Sequence, residues 1–260
     1  MIARALPLLT LLACAALSGC AREVPGAPTV GVTTSYLECA VRDLVGDGVD
    51  VTCLASPGSC PGHFDASPGD LRGLAAASCL FRFDFQSGLD AKLDPLIRKG
   101  LRVYEIAAPE GMCVPDVYRS VCVSVAAGLS VAFPERCGEI ERAVVRVGRE
   151  TRELGDELTE MVDSAGLGGA SVVASGHQAE FCRFLGLSVA ATYSAGDEQS
   201  LADLKRVIDS AEAAGVRAVV ANLQEGTARA EALALASRMA SSNSVKVPSR
   251  MAMEPGSELE

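Results

Sequence analysis

The chain has only two histidines, His63 and His177. Each falls in a loop that follows a stretch reading as a β-strand. Imidazole is the commonest metal ligand in proteins and suits zinc. Taken singly, either residue could be a cap or a surface side chain; their matched placement favours ligation. Around His63 the chain reads Cys60-Pro61-Gly62-His63-Phe64-Asp65, then Ser67-Pro68-Gly69-Asp70. The Pro and Gly residues tighten this turn, so Cys60, His63 and Asp65 can converge. Thiolate, imidazole and carboxylate all bind zinc. Cys60 is equally open to a disulfide, and Asp65 is better suited to orienting His63 than to binding metal directly.

The elements that must hold these loops alternate. Strands are expected at Val30–Thr33, Val49–Ala55, Ser78–Phe83 and Leu101–Ile106. Helices are expected at Ser35–Val45, Asp70–Ala77 (with Ser67 or Asp70 near its N-cap), Leu89–Gly100 and Pro115–Gly128. Such alternation indicates an α/β fold with parallel sheets covered on both faces. From Glu135 to Ser164 there is no proline. Ile140, Val144, Val147, Leu154, Leu158 and Met161 recur at spacings of three and four, with Thr151 the one polar residue in the stripe. That pattern predicts one long amphipathic helix of about 30 residues, roughly 45 Å; two helices broken at Gly148 or Gly155 is the alternative. Strands are then expected at Ala170–Ala174, Ser188–Thr192 and Ala218–Ala221, and helices at Gln178–Leu185, Ser200–Ala214 and Thr227–Ala240. The implied organisation is a first α/β lobe over 30–133, a connecting helix over 134–165 and a second α/β lobe over 166–260. Ligands bind outside the carboxyl ends of strands in open α/β sheets, and clefts between lobes are favoured sites.

The segment from Val30 through Asp70 to Leu93 resembles the first lobe of the periplasmic metal-binding proteins of ABC transporters for zinc and manganese. The Cys60–Asp65 loop is similar to a variant of that family's His-bearing loop. Ala174-Ser175-Gly176-His177-Gln178-Ala179-Glu180-Phe181 resembles the second-lobe stretch that carries another ligand His. Asp203 to Ala221 and Asn222-Leu223-Gln224-Glu225 are similar to the helix, strand and loop that follow. The resemblance implies two lobes, a connecting helix that limits hinge motion, and delivery of a metal to a membrane permease. Zinc is favoured, with manganese the alternative. The sequence departs from the family in two places. Where a second first-lobe His is usual, Glu110-Gly111-Met112-Cys113-Val114-Pro115 has none; Glu110 or Cys113 could substitute, or neither binds metal. The family's last ligand is an Asp or Glu near the C-terminus. Glu254 is the nearest counterpart here, and Gln224 and Glu225 are weaker alternatives. The same fold with a degenerate metal site is therefore the second reading.

At the N-terminus, Arg4 precedes an apolar run from Ala5 to Leu17, too short to span a bilayer. It has the layout of a secretory signal covering residues 1–19. Leu17-Ser18-Gly19-Cys20 resembles a lipobox, which makes Cys20 a lipid anchor and 20–29 a tether. Setting aside Cys14 and Cys20, the chain keeps Cys39, Cys53, Cys60, Cys79, Cys113, Cys122, Cys137 and Cys182. Export would let disulfides persist, although several of these thiols look like small buried hydrophobes. A net charge of −10 argues against nucleic acid, whose phosphates need Lys and Arg. No Cys-x-x-Cys pair, nucleophile elbow or His-Glu-x-x-His occurs. A thiol oxidoreductase is thus the weaker alternative to a monomeric binding protein.

Overall fold

In the computed structural model, described over residues 29–55, 66–194, 199–222 and 226–236, the chain forms two parallel sheets. The first comprises β1 (Thr29–Val32), β2 (Asp50–Cys53), β3 (Ala77–Phe83) and β4 (Arg102–Ile106) in the order β2-β1-β3-β4. Thr29 pairs with Asp50 on one side and Ala77 on the other, and Cys79 pairs with Arg102. The second comprises β5 (Ser171–Ser175), β6 (Ser188–Tyr193) and β7 (Ala218–Val220) in the order β6-β5-β7. Parallel neighbours need crossover connections, and helices supply them.

In the first lobe, α1 (Ser35–Val45) and α4 (Pro115–Ala132) cover one face of the sheet. They enclose Val30, Val32, Phe81, Phe83, Leu37, Leu44 and Leu129. The short α2 (Pro68–Gly73) and α3 (Asp90–Ile97) sit with the opposite face, around Leu74, Leu80, Leu89 and Leu93. Ser67 caps α2: its hydroxyl accepts from the Asp70 N–H while Asp70 accepts from the Ser67 N–H, a reciprocal box that satisfies two end donors. Arg82, only 5 % exposed on β3, is held by both carboxylate oxygens of Asp90 at 2.8 and 2.7 Å and by Glu105 at 2.9 Å. That clamp fixes the start of α3 to the sheet.

The helix α5 (Cys137–Ser164) is continuous over 28 residues, so neither Gly148 nor Gly155 breaks it. Its buried face differs from the apolar stripe read in the sequence. Ile140, Ala143, Val147, Thr151 and Gly155 are buried, whereas Leu154 and Met161 are 45 % and 60 % exposed. The reason is close packing, which selects small residues at the contact. A Cβ on Gly155 would lie 3.2 Å from the ring of Phe184. Thr151 satisfies its buried hydroxyl on the Val147 carbonyl at 2.8 Å. Gly128 likewise does not end α4, which runs on to Ala132. It is a point of close approach, where a Cβ would meet Phe81 at 2.5 Å.

In the second lobe, α7 (Leu201–Ala213) and α8 (Ala228–Ala236) cover one face through Val207, Ala211, Ala230 and Leu233. The six-residue α6 (Ala179–Phe184) covers the other through Ala179 and Cys182. No helix among the described residues is long and apolar enough to cross a membrane.

Candidate metal centre

Two loops at carboxyl ends of strands meet across the seam between the lobes. In the second lobe, β5 leads directly into the tight turn Gly176–Gln178, which opens α6. His177 is exposed on that turn, and Gln178 is only 7 % exposed. In the first lobe, β4 leads into residues 107–114 and then α4, opened by Pro115. Cys113 is half-buried in that loop and Glu110 is exposed.

The first-lobe loop is gripped from both sides. From its own lobe, the Tyr36 hydroxyl donates to the Met112 carbonyl at 2.9 Å. From the other lobe, the Gln178 amide donates to the Cys113 sulfur at 3.9 Å. Gly111 adopts φ +72°, a left-handed conformation that favours glycine, and a Cβ there would lie 2.8 Å from Cβ of Glu180. A side chain at 111 would therefore push α6 away. The structure thus brings Cys113 beside the turn that carries His177.

Cys60, His63, Asp65, Gln224, Glu225, Glu254 and the acylation candidate Cys20 lie outside the described residues. Among the described residues, no three His, Cys, Asp or Glu side chains gather in a metal-holding group. What can be placed is one half-buried thiol on the first lobe and one imidazole on the second. Gln178 and Glu180 were not anticipated as partners of the first-lobe loop. The signal for Gln178 was its position next to His177; its partner lies 65 residues away, beyond any local pattern.

Burial pushes the Cys113 thiol above its ordinary value, while the hydrogen bond from Gln178 pulls the other way. Burial drives Cys53, Cys79 and Cys122 up to about 12 and Cys182 up to about 11. Reactive redox thiols are instead acidified. None of the seven described cysteines is in a disulfide. Cys79, Cys122 and Cys182 are packed in the cores, as small hydrophobes. Ser175, the last residue of β5, carries a buried hydroxyl with no hydrogen-bond partner among the described residues, which cores usually avoid.

Over residues 30–256 the sequence matches the family model described as ZnuA, zinc-uptake complex component A, periplasmic. No curated protein matches it in sequence. Solved structures share the fold at low identity. A crystal structure of ZnuA is 20 % identical, with a TM-score of 0.69 over 82 % of this chain and 88 % of that one. The laminin-binding protein Lbp of Streptococcus pyogenes is 16 % identical, with a TM-score of 0.70 over 89 % and 91 %. A Mn-bound mutant of a periplasmic metal binding protein from candidatus liberibacter asiaticus is 12 % identical, with a TM-score of 0.67 over 81 % and 85 %.

Proposed function

Because the chain belongs to the ZnuA family of periplasmic metal-uptake proteins, we propose that it captures zinc in the cleft between its lobes and hands it to an ABC permease. The family consists of solute-binding proteins of metal transport, not enzymes, and works with zinc or manganese. The observation that carries the choice of site is the seam itself, where Cys113 of one lobe meets the turn bearing His177 of the other.

In this reading His177 and Cys113 are ligands. His63 and Cys60, outside the described residues, complete the set, and Asp65 orients His63. Glu110, Gln224 and Glu225 are the alternative oxygen donors. Imidazole with thiolate suits a borderline-soft d¹⁰ ion, and manganese prefers oxygen ligands, so zinc is favoured over manganese. The lobes would correspond to residues 30–133 and 166–260, joined by 134–165. The chain would be exported, cut before Cys20 and tethered to the membrane by lipid on that residue, acting as a monomer.

The test is a titration of the purified, reduced protein with zinc and with manganese against a competing chelator. Tight one-to-one zinc binding is expected, with manganese weaker. His177→Ala should lower zinc affinity by more than the about 10–100-fold typical of an outer-shell change, with the fold intact by circular dichroism. An unchanged affinity in that variant would remove His177 from the site. Absence of any metal binding would favour a member of the fold whose site has degenerated.

A further inference from the structure

Gln178 is a long polar side chain almost wholly withdrawn from water, on a turn whose other residues, Gly176 and His177, are exposed. Its amide donates across the seam to the Cys113 sulfur at 3.9 Å. The acceptor cannot easily drift away. Tyr36 holds the neighbouring Met112 carbonyl at 2.9 Å from below, and Gly111 abuts Glu180 from the side. Donor and acceptor thus come from different lobes, yet both belong to tightly held turns. A metal-bound thiolate is a stronger acceptor than a thiol, because hydrogen bonds to ionised acceptors are strengthened. An amide N–H suits that acceptor, and a carboxylate in its place would repel it.

We propose that Gln178 is the positioning residue for the metal thiolate: the first lobe supplies the sulfur of Cys113 and the second lobe aims it. The proposal rests on the reading of Cys113 as a ligand and deepens it. It selects for thiophilic cations, since a metal that does not bind sulfur gains nothing from the arrangement. The hydrogen bond also spans the seam, so both lobes share the hold on this sulfur.

The experiment uses the purified, reduced full chain and cadmium as the probe, because cadmium–thiolate coordination gives an ultraviolet charge-transfer band that imidazole and carboxylate do not. The wild-type protein should develop this band on titration, and Cys113→Ala should diminish it. Gln178→Leu should keep the full band but weaken cadmium affinity about tenfold, the lower end of outer-shell effects. Gln178→Glu, nearly isosteric, should weaken it further. In the Cys113→Ala background neither change at 178 should matter beyond about twofold, because effects through a shared partner are not additive. Thermal melts of every variant report whether it folds. Equal losses in both backgrounds would overturn the proposal, showing that Gln178 acts on packing alone. An undiminished band in Cys113→Ala, or none in the wild type, would remove Cys113 as a ligand and the proposal with it. Metal binding sensitive to His177→Ala would in that case still stand.

Discussion

The two lobes share a plan but not a build. The largest fully buried side chains, among them Phe81, Phe83, Leu37, Leu44, Leu80 and Leu93, all lie in the first lobe or on α5. The second lobe is closed mainly by smaller groups, Val173, Val207, Val219, Ala211 and Ala230, beside Tyr193 and Leu233. Its strand β6 is half-buried or exposed at every residue but Tyr193, and β7 has three residues. Buried apolar area supplies most of the drive to fold, at about 25 cal/mol per Å². Among the described residues, the first lobe with α5 is therefore the more heavily packed unit, and the second is the lighter one. The lighter unit carries His177 and Gln178. Segments that move in binding are drawn from the less stable parts of a protein, and the build of the second lobe matches that rule.

The largest expected effect tests this asymmetry directly. Phe81→Ala should cost about 3–5 kcal/mol and Val219→Ala about 2 kcal/mol or less, measured by denaturant unfolding. Equal costs would break the contrast. Hydrogen exchange should agree, with amides of β1 and β3 slower than those of β6 and β7.

A smaller effect comes from alkali. Cys79 and Cys122 in the first lobe are pushed up to about 12 by burial, and Cys182 in the second to about 11, from an ordinary 9.0. The unfolded chain releases these protons first, so stability is complete below pH 9 and falls as pH rises towards 11–12. Each thiol should cost about 1 kcal/mol by pH 10, at roughly 1.4 kcal/mol per pH unit. Thermal melts between pH 8 and 11 should show this decline, and Cys79→Val should flatten it more than Cys182→Val. A decline that neither substitution alters would assign the effect to other groups.

The smallest effect sits at the site. Ser175→Ala removes a buried hydroxyl that has no partner among the described residues, so it should leave stability unchanged or raise it by up to about 1 kcal/mol. A loss of 2 kcal/mol would show that the hydroxyl is satisfied after all.

Much of the fold was legible because buried parallel strands are short apolar runs and helices announce their ends. Ser35–Val45 was placed to the residue, since Thr34 caps it and Gly46 follows. The single long helix was legible from its lack of proline. The helix expected over Pro115–Gly128 runs on to Ala132, and Gly128 is there for an aromatic ring contributed by β3, which local spacing does not encode. The stripe on α5 was misread for a similar reason. Where a helix is approached closely, small residues mark the buried face, and hydrophobicity alone selects Leu154 and Met161 instead. At the candidate site, the position of His177 on a turn after a strand, and of Cys113 in the loop before Pro115, was legible. The bond between Cys113 and the neighbour of His177 was not, since only the docking of the lobes creates it.

The all-parallel register has a consequence in time as well as in space. β1 cannot be enclosed until β3 has been made, since Thr29 pairs with Ala77 and not with a hairpin neighbour. Folds built from such distant pairings nucleate slowly, because loop closure must be met before the contacts that reward it. For a family that works outside the cytoplasm, a slow start is useful. A chain that is slow to collapse stays threadable for longer.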